Sequence, residues 1–69
     1  MPRQFPAPWR PEKIRDGYVV RDANNQILTY VPSRATEAEA IQAKVLTEDE
    51  ARIIATSIAQ LPQLLERRQ

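Results

Sequence analysis

The feature that most limits how this chain can fold is the segment at residues 46–65, LTEDEARIIATSIAQLPQLL. Between Ala51 and Leu61 its apolar residues recur at steps of three and four, which places them on one side of a helix. A helix with one apolar side needs a surface to pack against. The only candidate upstream is a β-hairpin, so the segment predicts a domain in which a helix covers a small sheet.

The ends of this helix are marked by local signals. Thr47 and Glu50 have the spacing of a capping box, in which side chains satisfy the first free backbone N–H groups. Pro62 lacks an N–H and crowds the preceding turn, so it is expected to kink or end the helix. We therefore predict a helix over residues 48–60, with one further turn at 63–68.

Two segments upstream, residues 18–22 and 26–31, have the composition of β-strands. They are rich in valine, isoleucine, tyrosine and threonine, which fit a pleated and half-buried surface. The residues between them form a turn in which Asn25 is expected to adopt the left-handed conformation. These features predict an antiparallel hairpin.

The length of the turn predicts which side chains face the helix. A three-residue loop pairs Val20 with Leu28 and Tyr18 with Tyr30, and the four side chains then share one face of the hairpin. We predict that this face packs on the helix. Because side chains alternate along a strand, one additional residue would exchange the two faces.

The remaining segments complete the predicted fold. Residues 9–15 are expected to form a strand at the sheet edge, since Pro11 is tolerated only there or at a strand end. Thr36 and Glu39 form a second predicted capping box, which opens a short helix at 37–44. We predict an α+β fold in the order β-β-β-α-α: a two- or three-stranded antiparallel β-meander packed against the C-terminal helix, with the short helix before it.

The chain of 69 residues is expected to form one small domain. Residues 1–8 are predicted to be a flexible, proline-bearing arm, and residues 9–69 the α+β domain. The dipeptide Leu46-Thr47 is expected to separate the two helices. The predicted core consists of Trp9, Tyr18, Val20, Leu28, Tyr30, Ile41, Leu46, Ile54, Ala55, Ile58 and Leu61.

The composition argues against an enzyme. The chain has no histidine, no cysteine and one glycine. It therefore lacks the most common general base, the best nucleophile and any glycine-rich phosphate loop. The acidic run at 48–50 lies at a helix start, where consecutive side chains diverge by about 100°, so a metal site is not expected. We predict no catalytic residue, no cofactor and no metal.

Two surfaces are candidates for binding a partner. Aromatic and basic residues in the N-terminal half could bind nucleic acid, although Glu12, Asp16 and Asp22 are interleaved with them. Apolar residues off the main stripe, together with the back of the sheet, suggest contact with a protein or a second copy of the chain. The candidate nucleic-acid residues are Trp9, Arg10, Lys13, Arg15 and Arg21, and the candidate protein-interaction residues are Ile53, Leu64, Leu65, Val19 and Ile27.

We predict a non-catalytic protein-interaction or regulatory module, with an unknown protein partner or a homodimer. Weak nucleic-acid binding through the sheet and the basic N-terminal half is the alternative. The sequence shows no secretory leader at its N-terminus and no run of about 20 apolar residues that could cross a membrane. A cytoplasmic location is therefore expected, which the absence of cysteine also fits.

Three stretches carry a resemblance: Pro8-Trp9-Arg10, GYVVRDANNQIL at residues 17–28, and LTEDEARIIATSIAQLPQLL at residues 46–65. They resemble a family of small uncharacterised bacterial proteins of an α-proteobacterial type. Members tend to have glycine where this chain has Asn25, and an aromatic residue where it has Pro32. The resemblance implies a compact α+β module in the cytoplasm and no assigned activity.

Overall fold

The computed structural model describes residues 5–66, in which four strands and three helices form an α+β fold. The predicted fold class is confirmed at this level. Residues 1–4 of the predicted arm, and Arg67 and Arg68 of the predicted last turn, lie outside the described residues. The elements are β1 (Arg10–Ile14), β2 (Gly17–Arg21), β3 (Ile27–Arg34), α1 (Glu37–Ala43), β4 (Leu46–Thr47), α2 (Glu48–Ala59) and α3 (Leu61–Glu66).

The sheet has the order β1-β2-β3-β4 and is mixed. The first three strands are antiparallel as predicted, whereas β4 pairs parallel to β3 and is reached through α1. The prediction of an antiparallel sheet of at most three strands was therefore incomplete. Leu46 and Thr47 are not a linker: they form β4, with Leu46 opposite Ser33 and Thr47 opposite Arg34.

β3 continues through Pro32, where the sequence predicted its end. The Ser33 N–H donates to the Asp16 carbonyl oxygen at 2.9 Å, on the β2 side of the strand. Because successive N–H groups point to opposite edges, the Pro32 nitrogen faces the β4 side. Pairing with β4 begins only at Ser33, so the absent N–H of Pro32 interrupts no hydrogen bond of the sheet.

A β-bulge changes the predicted register of the hairpin. Arg21 lies opposite Ile27 but Val20 lies opposite Thr29, so β3 has one additional residue, Leu28, at this step. A bulge shifts the side chains beyond it to the other face. Val31, rather than the predicted Tyr30, therefore lies opposite Tyr18.

The core lies between one face of the sheet and α2. Its buried residues are Val20, Val31, Ala51 and Ala55, and Trp9, Tyr18, Leu28, Leu46, Ile58 and Ala59 pack against it. Tyr18 and Val20 thus face α2 as predicted. Four other predicted core residues were assigned wrongly, because their side chains are exposed: Tyr30, Ile41, Ile54 and Leu61.

The exposed positions have physical reasons. Tyr30 follows the bulge and points to the face away from α2, where its hydroxyl donates to the Asp16 carbonyl oxygen at 3.1 Å. Two alanines, Ala51 and Ala55, form the line along which α2 meets the sheet. Small residues allow a close approach of the helix. The contact is therefore centred on the alanines, and Ile54, one position away, lies at the margin of the contact.

The turn between β2 and β3 is held by polar contacts. Asn25 has a φ of 67°, so its predicted left-handed conformation is confirmed. The buried Asp22 accepts two backbone hydrogen bonds at its Oδ1, from Asn24 at 2.8 Å and from Gln26 at 2.9 Å. Arg10 donates to the Asp22 carbonyl oxygen at 3.1 Å and to the Asn25 side chain. The turn is therefore satisfied by its own residues and by β1.

Both helices begin with the predicted N-cap threonine, and one of the two predicted capping boxes is formed in full. Thr47 accepts a hydrogen bond from the Glu50 N–H at 3.2 Å, and the Thr47 N–H donates to Glu50 Oε1 at 3.0 Å. This is the predicted capping box. At α1 the Thr36 hydroxyl oxygen accepts from the Glu39 N–H at 3.2 Å, and the hydroxyl donates to Glu39 Oε1. At α1 only the first half of the predicted capping box is therefore present, because Glu39 accepts from the Thr36 hydroxyl rather than from the Thr36 backbone N–H.

Candidate protein-interaction surface

α2 has one side against the sheet and an apolar remainder that the sheet does not cover. Ala51 and Ala55 are fully buried, and Ile58 is half-buried against the core. Ile53 and Ile54 are 57% and 41% exposed. These two isoleucines therefore add apolar area to the outside of the helix, beyond what the fold uses.

α3 extends this exposed apolar area. Among the helices and strands within residues 5–66, α3 contacts α2 and no other element. Leu61, Leu64 and Leu65 are separated by three and four residues, so they share one side of the helix. They are 39%, 49% and 56% exposed. A helix of six residues thus presents three leucines that the domain covers only in part.

The junction of the two helices keeps their apolar residues in line. Gln60, between them, stays in the right-handed helical region, with φ of −87° and ψ of −7°. The Leu64 N–H donates across the junction to the Gln60 carbonyl oxygen at 3.1 Å. Pro62 lies in the first turn of α3, where a missing N–H is tolerated. We refer to the exposed residues Ile53, Ile54, Leu61, Leu64 and Leu65 as the helical apolar surface.

A half-open cleft of about 300 Å³ adjoins the start of α3. One wall is the segment before β1, where the Trp9 indole N–H donates to the Phe5 carbonyl oxygen at 2.9 Å. The Pro6 carbonyl oxygen accepts from the Ala23 N–H at 2.9 Å, so the described part of the predicted arm contacts the hairpin turn. The cleft is lined by Ala7, Pro8, Trp9, Ala59, Pro62 and Gln63.

The predicted protein-interaction residues lie on two separate parts of the structure. Ile53, Leu64 and Leu65 are all exposed on the α2–α3 segment. Val19 and Ile27 lie on the sheet face that α2 does not cover. Ile27 is exposed there, but Val19 is only 4% exposed and offers almost no surface to a partner.

The predicted nucleic-acid residues do not form one basic surface. Lys13 pairs with Glu48 at 3.2 Å on the α2 side of the sheet and lies over the Tyr18 ring. Arg21 lies on the other face, where it pairs with Glu12 at 2.6 Å.

The other three predicted nucleic-acid residues also lie apart from one another. Trp9 lines the cleft, and Arg10 is hydrogen-bonded to the β2–β3 turn. Arg15 lies exposed in the turn between β1 and β2. Three of the four cations are thus held by groups of the domain itself, and the five residues are spread over both faces.

Ile54 and Leu61 belong to the helical apolar surface, although the sequence assigned them to the core. The signal that could have placed them outside is the alanine pair. Ala51 and Ala55 are separated by four residues, and two small residues at this spacing mark where a helix can approach a sheet most closely. Ile54, beside that line, then points past the edge of the contact. Leu61 lies beyond α2, in α3, which contacts no strand of the sheet.

The described residues contain no group of three or more acidic, histidine or cysteine side chains that could hold a metal ion. None of the helices within residues 5–66 is long and apolar enough to cross a membrane. Comparison of the chain with family models, curated proteins and solved structures gives no match. The resemblance to a bacterial family therefore stays a prediction.

Proposed function

We propose that this protein is a non-catalytic protein-interaction module and that its binding site is the helical apolar surface. The observation that carries the proposal is the exposure of the leucines of α3. Its leucines are exposed, and it contacts no strand. Isolated helices shorter than about 12 residues are marginal in water, so a helix of this length gains stability from packing of an apolar side. A protein partner that covers the leucines supplies such packing.

The size of the exposed area supports the same proposal. Small domains normally scatter single apolar side chains over their surface, whereas contiguous apolar patches mark interaction sites. Here five aliphatic side chains follow one another along α2 and α3, each at least 39% exposed. Flanking residues such as Ser57 and Gln60 are polar, which fits the polar rim of a protein interface.

A photo-crosslinking experiment tests the proposal. A photoreactive amino acid is placed at Leu64 in the full chain, and the protein is irradiated in a lysate of its native host cells. Discrete protein adducts, self-adducts included, are expected at this position. The matched control places the same group at Ile41, which is 70% exposed on α1 and outside the surface. Equal or absent adduct formation at the two positions would contradict the proposal.

Weak nucleic-acid binding through Trp9, Arg10, Lys13, Arg15 and Arg21 stays the alternative. It is less well supported, since binding of phosphates needs cations that are available on one surface. A titration with labelled single-stranded and duplex DNA and RNA at low salt separates the two functions. Salt-sensitive binding that is lost in the Arg15→Ala variant and retained in Leu64→Glu would favour the alternative.

A further inference from the structure

We infer that the peptide bond between Asp16 and Gly17, in the turn between β1 and β2, is a site of spontaneous isomerisation from aspartate to isoaspartate, and that the pairing of β2 with β3 holds it in an unreactive geometry. The inference is independent of the helical apolar surface. It is argued from the residues of the turn, from the hydrogen bonds of the Asp16 carbonyl oxygen and from the packing around Gly17.

The dipeptide Asp16-Gly17 has the side chain and the neighbour that this reaction needs. Isomerisation begins when the backbone nitrogen of the following residue attacks the side chain of the aspartate, and a Cβ on the following residue obstructs that attack. Because the chain has one glycine, Asp16 is its only aspartate or asparagine that precedes a glycine. Asp16 is exposed, and within residues 5–66 its carboxylate has no hydrogen bond or ion pair. The side chain is therefore free to reach the Gly17 nitrogen.

The reaction needs no reagent other than water. The Gly17 nitrogen bonds to Cγ of the protonated Asp16 carboxyl group, and the amide hydrogen leaves with the carboxyl hydroxyl as water, which gives a cyclic imide. Water then adds to one of the two carbonyl carbons of the imide, the bond from that carbon to nitrogen breaks, and the nitrogen regains a hydrogen. Opening at Cγ restores aspartate, whereas opening at the backbone carbon gives isoaspartate, with one additional carbon atom in the main chain.

Two hydrogen bonds from β3 oppose closure of the ring. The ring requires a ψ of Asp16 outside the regions that L-residues normally adopt, so the peptide plane between Asp16 and Gly17 must rotate about the Cα–C bond of Asp16. The carbonyl oxygen of this plane accepts from the Ser33 N–H at 2.9 Å and from the Tyr30 hydroxyl at 3.1 Å. Rotation of the plane breaks both hydrogen bonds, so the ring does not form while β3 stays in place.

The packing around Gly17 opposes the same rotation. Gly17 is buried in β2, opposite Ile14 of β1 on one side and Pro32 of β3 on the other. The backbone of β3 lies so close that a Cβ on Gly17 would overlap the Val31 carbonyl oxygen and lie 3.0 Å from Pro32 Cα. Gly17 therefore has no room to follow a rotating peptide plane. Isomerisation requires β2 and β3 to separate at this end of the sheet.

The product does not fit the folded turn. The loop between the paired residues Ile14 and Gly17 has two residues, and isoaspartate lengthens its main chain by one atom. The former backbone carbonyl group of Asp16 becomes a pendant carboxylate, so the main chain loses the oxygen that accepts from Ser33 and Tyr30. We expect the isomerised chain to be less stable than the unmodified chain, which makes the turn a place where a transient opening becomes permanent.

Ageing of the full chain at neutral pH and body temperature tests the site and its protection by the fold. One sample is native and the other is unfolded in guanidinium chloride, both in heavy-oxygen water, which labels each opened imide. Mass spectrometry follows digestion by an endoproteinase that cleaves before aspartate but not before isoaspartate. In the unfolded chain, position 16 is expected to react before any other. In the native chain its reaction should be at least about tenfold slower, because only the opened fraction reacts. Equal rates in the two samples, or earlier reaction at another position, would overturn the inference.

A pair of tyrosine variants tests the contact with β3. Tyr30→Phe removes one hydrogen bond to the Asp16 carbonyl oxygen and retains the ring, so native isomerisation is expected to be about two- to tenfold faster. The matched control is Tyr18→Phe. The Tyr18 hydroxyl makes no hydrogen bond within the described residues, and the rate should stay within about twofold of that of the unmodified chain.

The same samples separate an effect on the fold from an effect on the chemistry. In guanidinium chloride all three chains are expected to isomerise at one rate, and circular dichroism should show that both variants are folded without it. Equal native rates for Tyr30→Phe and Tyr18→Phe would overturn the assigned role of β3. If Tyr30→Phe does not fold, comparison of the native and unfolded samples of the unmodified chain decides the inference by itself.

Discussion

The β2–β3 turn and α3 differ in how far their side chains are engaged in contacts within the chain. In the turn, a buried carboxylate accepts two backbone hydrogen bonds, and Arg10 and Arg21 reach back to hold the loop. In α3, three leucines face outward, and the helix contacts one other element among those described. The polar groups of the turn are hydrogen-bonded within the chain, whereas α3 has apolar side chains that the chain leaves exposed. The comparison separates residues whose contacts serve the fold from residues that the fold leaves exposed.

The largest expected change in stability is at Gly17, in the sheet. Gly17 has a φ of 155°, and a Cβ there would overlap the Val31 carbonyl oxygen and lie 3.0 Å from Pro32 Cα. Both obstacles are backbone atoms and cannot rotate away. We expect Gly17→Ala to lower the free energy of unfolding by about 3–5 kcal/mol. A domain of this length has a total stability of only about 3–10 kcal/mol.

Urea denaturation, followed by circular dichroism and by the fluorescence of Trp9, measures this change. The control is Gln42→Ala, an exposed position on α1 that is expected to change stability by less than about 0.5 kcal/mol. Equal unfolding midpoints for the two variants would show that the backbone around Gly17 can move, and the close approach of β2 and β3 would then not limit the fold.

An intermediate effect is expected at Asp22. Asp22→Ala leaves the N–H groups of Asn24 and Gln26 without their acceptor in the turn, which should cost about 1–3 kcal/mol. The matched control is Asp22→Asn, which retains a side-chain oxygen at the same place and should cost less than the alanine variant. Chemical denaturation of the three proteins side by side gives the ranking, and an asparagine variant as unstable as alanine would mean that the negative charge itself is needed.

The smallest change in stability is expected for substitutions in α3. Leu65→Ala shortens a side chain that is more than half exposed and contacts no strand, so the free energy of unfolding of the monomer should change by less than about 0.5 kcal/mol. The measurement is made at the lowest workable concentration, where association does not contribute. A loss of about 2 kcal/mol or more would show that Leu65 serves the fold, and the distinction between the turn and α3 would fail.

Local features of this fold could be predicted from the sequence, and features that depend on neighbouring strands could not. The capping box at Thr47 and the left-handed Asn25 are determined by a few adjacent residues, and both are confirmed. The bulge at Leu28 depends on how the whole of β3 fits against β2, and no residue type marks it. β4 is two residues long, which is too short to show an alternating pattern.

The candidate surface could be predicted in part for the same reason. The predictions for Ile53, Leu64 and Leu65 needed only the helical period, and the structure places all three on the outside of the α2–α3 segment. Leu61 required knowledge that α3 contacts no strand, and Ile54 required knowledge of how closely α2 approaches the sheet. That distance is decided by Ala51 and Ala55 against Val20, which is a tertiary contact. Val19 was predicted to be accessible because the sequence indicated which face of the sheet it occupies. The sequence did not indicate its cross-strand neighbours, Glu12 and Tyr30.

The two prolines in the sheet have a consequence for how copies of this protein can assemble. Pro11 lies in the outermost strand β1, and Pro32 directs its nitrogen towards the side of β3 that is open beyond the short β4. Neither border can therefore offer an unbroken row of N–H donors to an incoming strand. Growth into fibres by edge-to-edge pairing of strands is therefore disfavoured at both borders of the sheet.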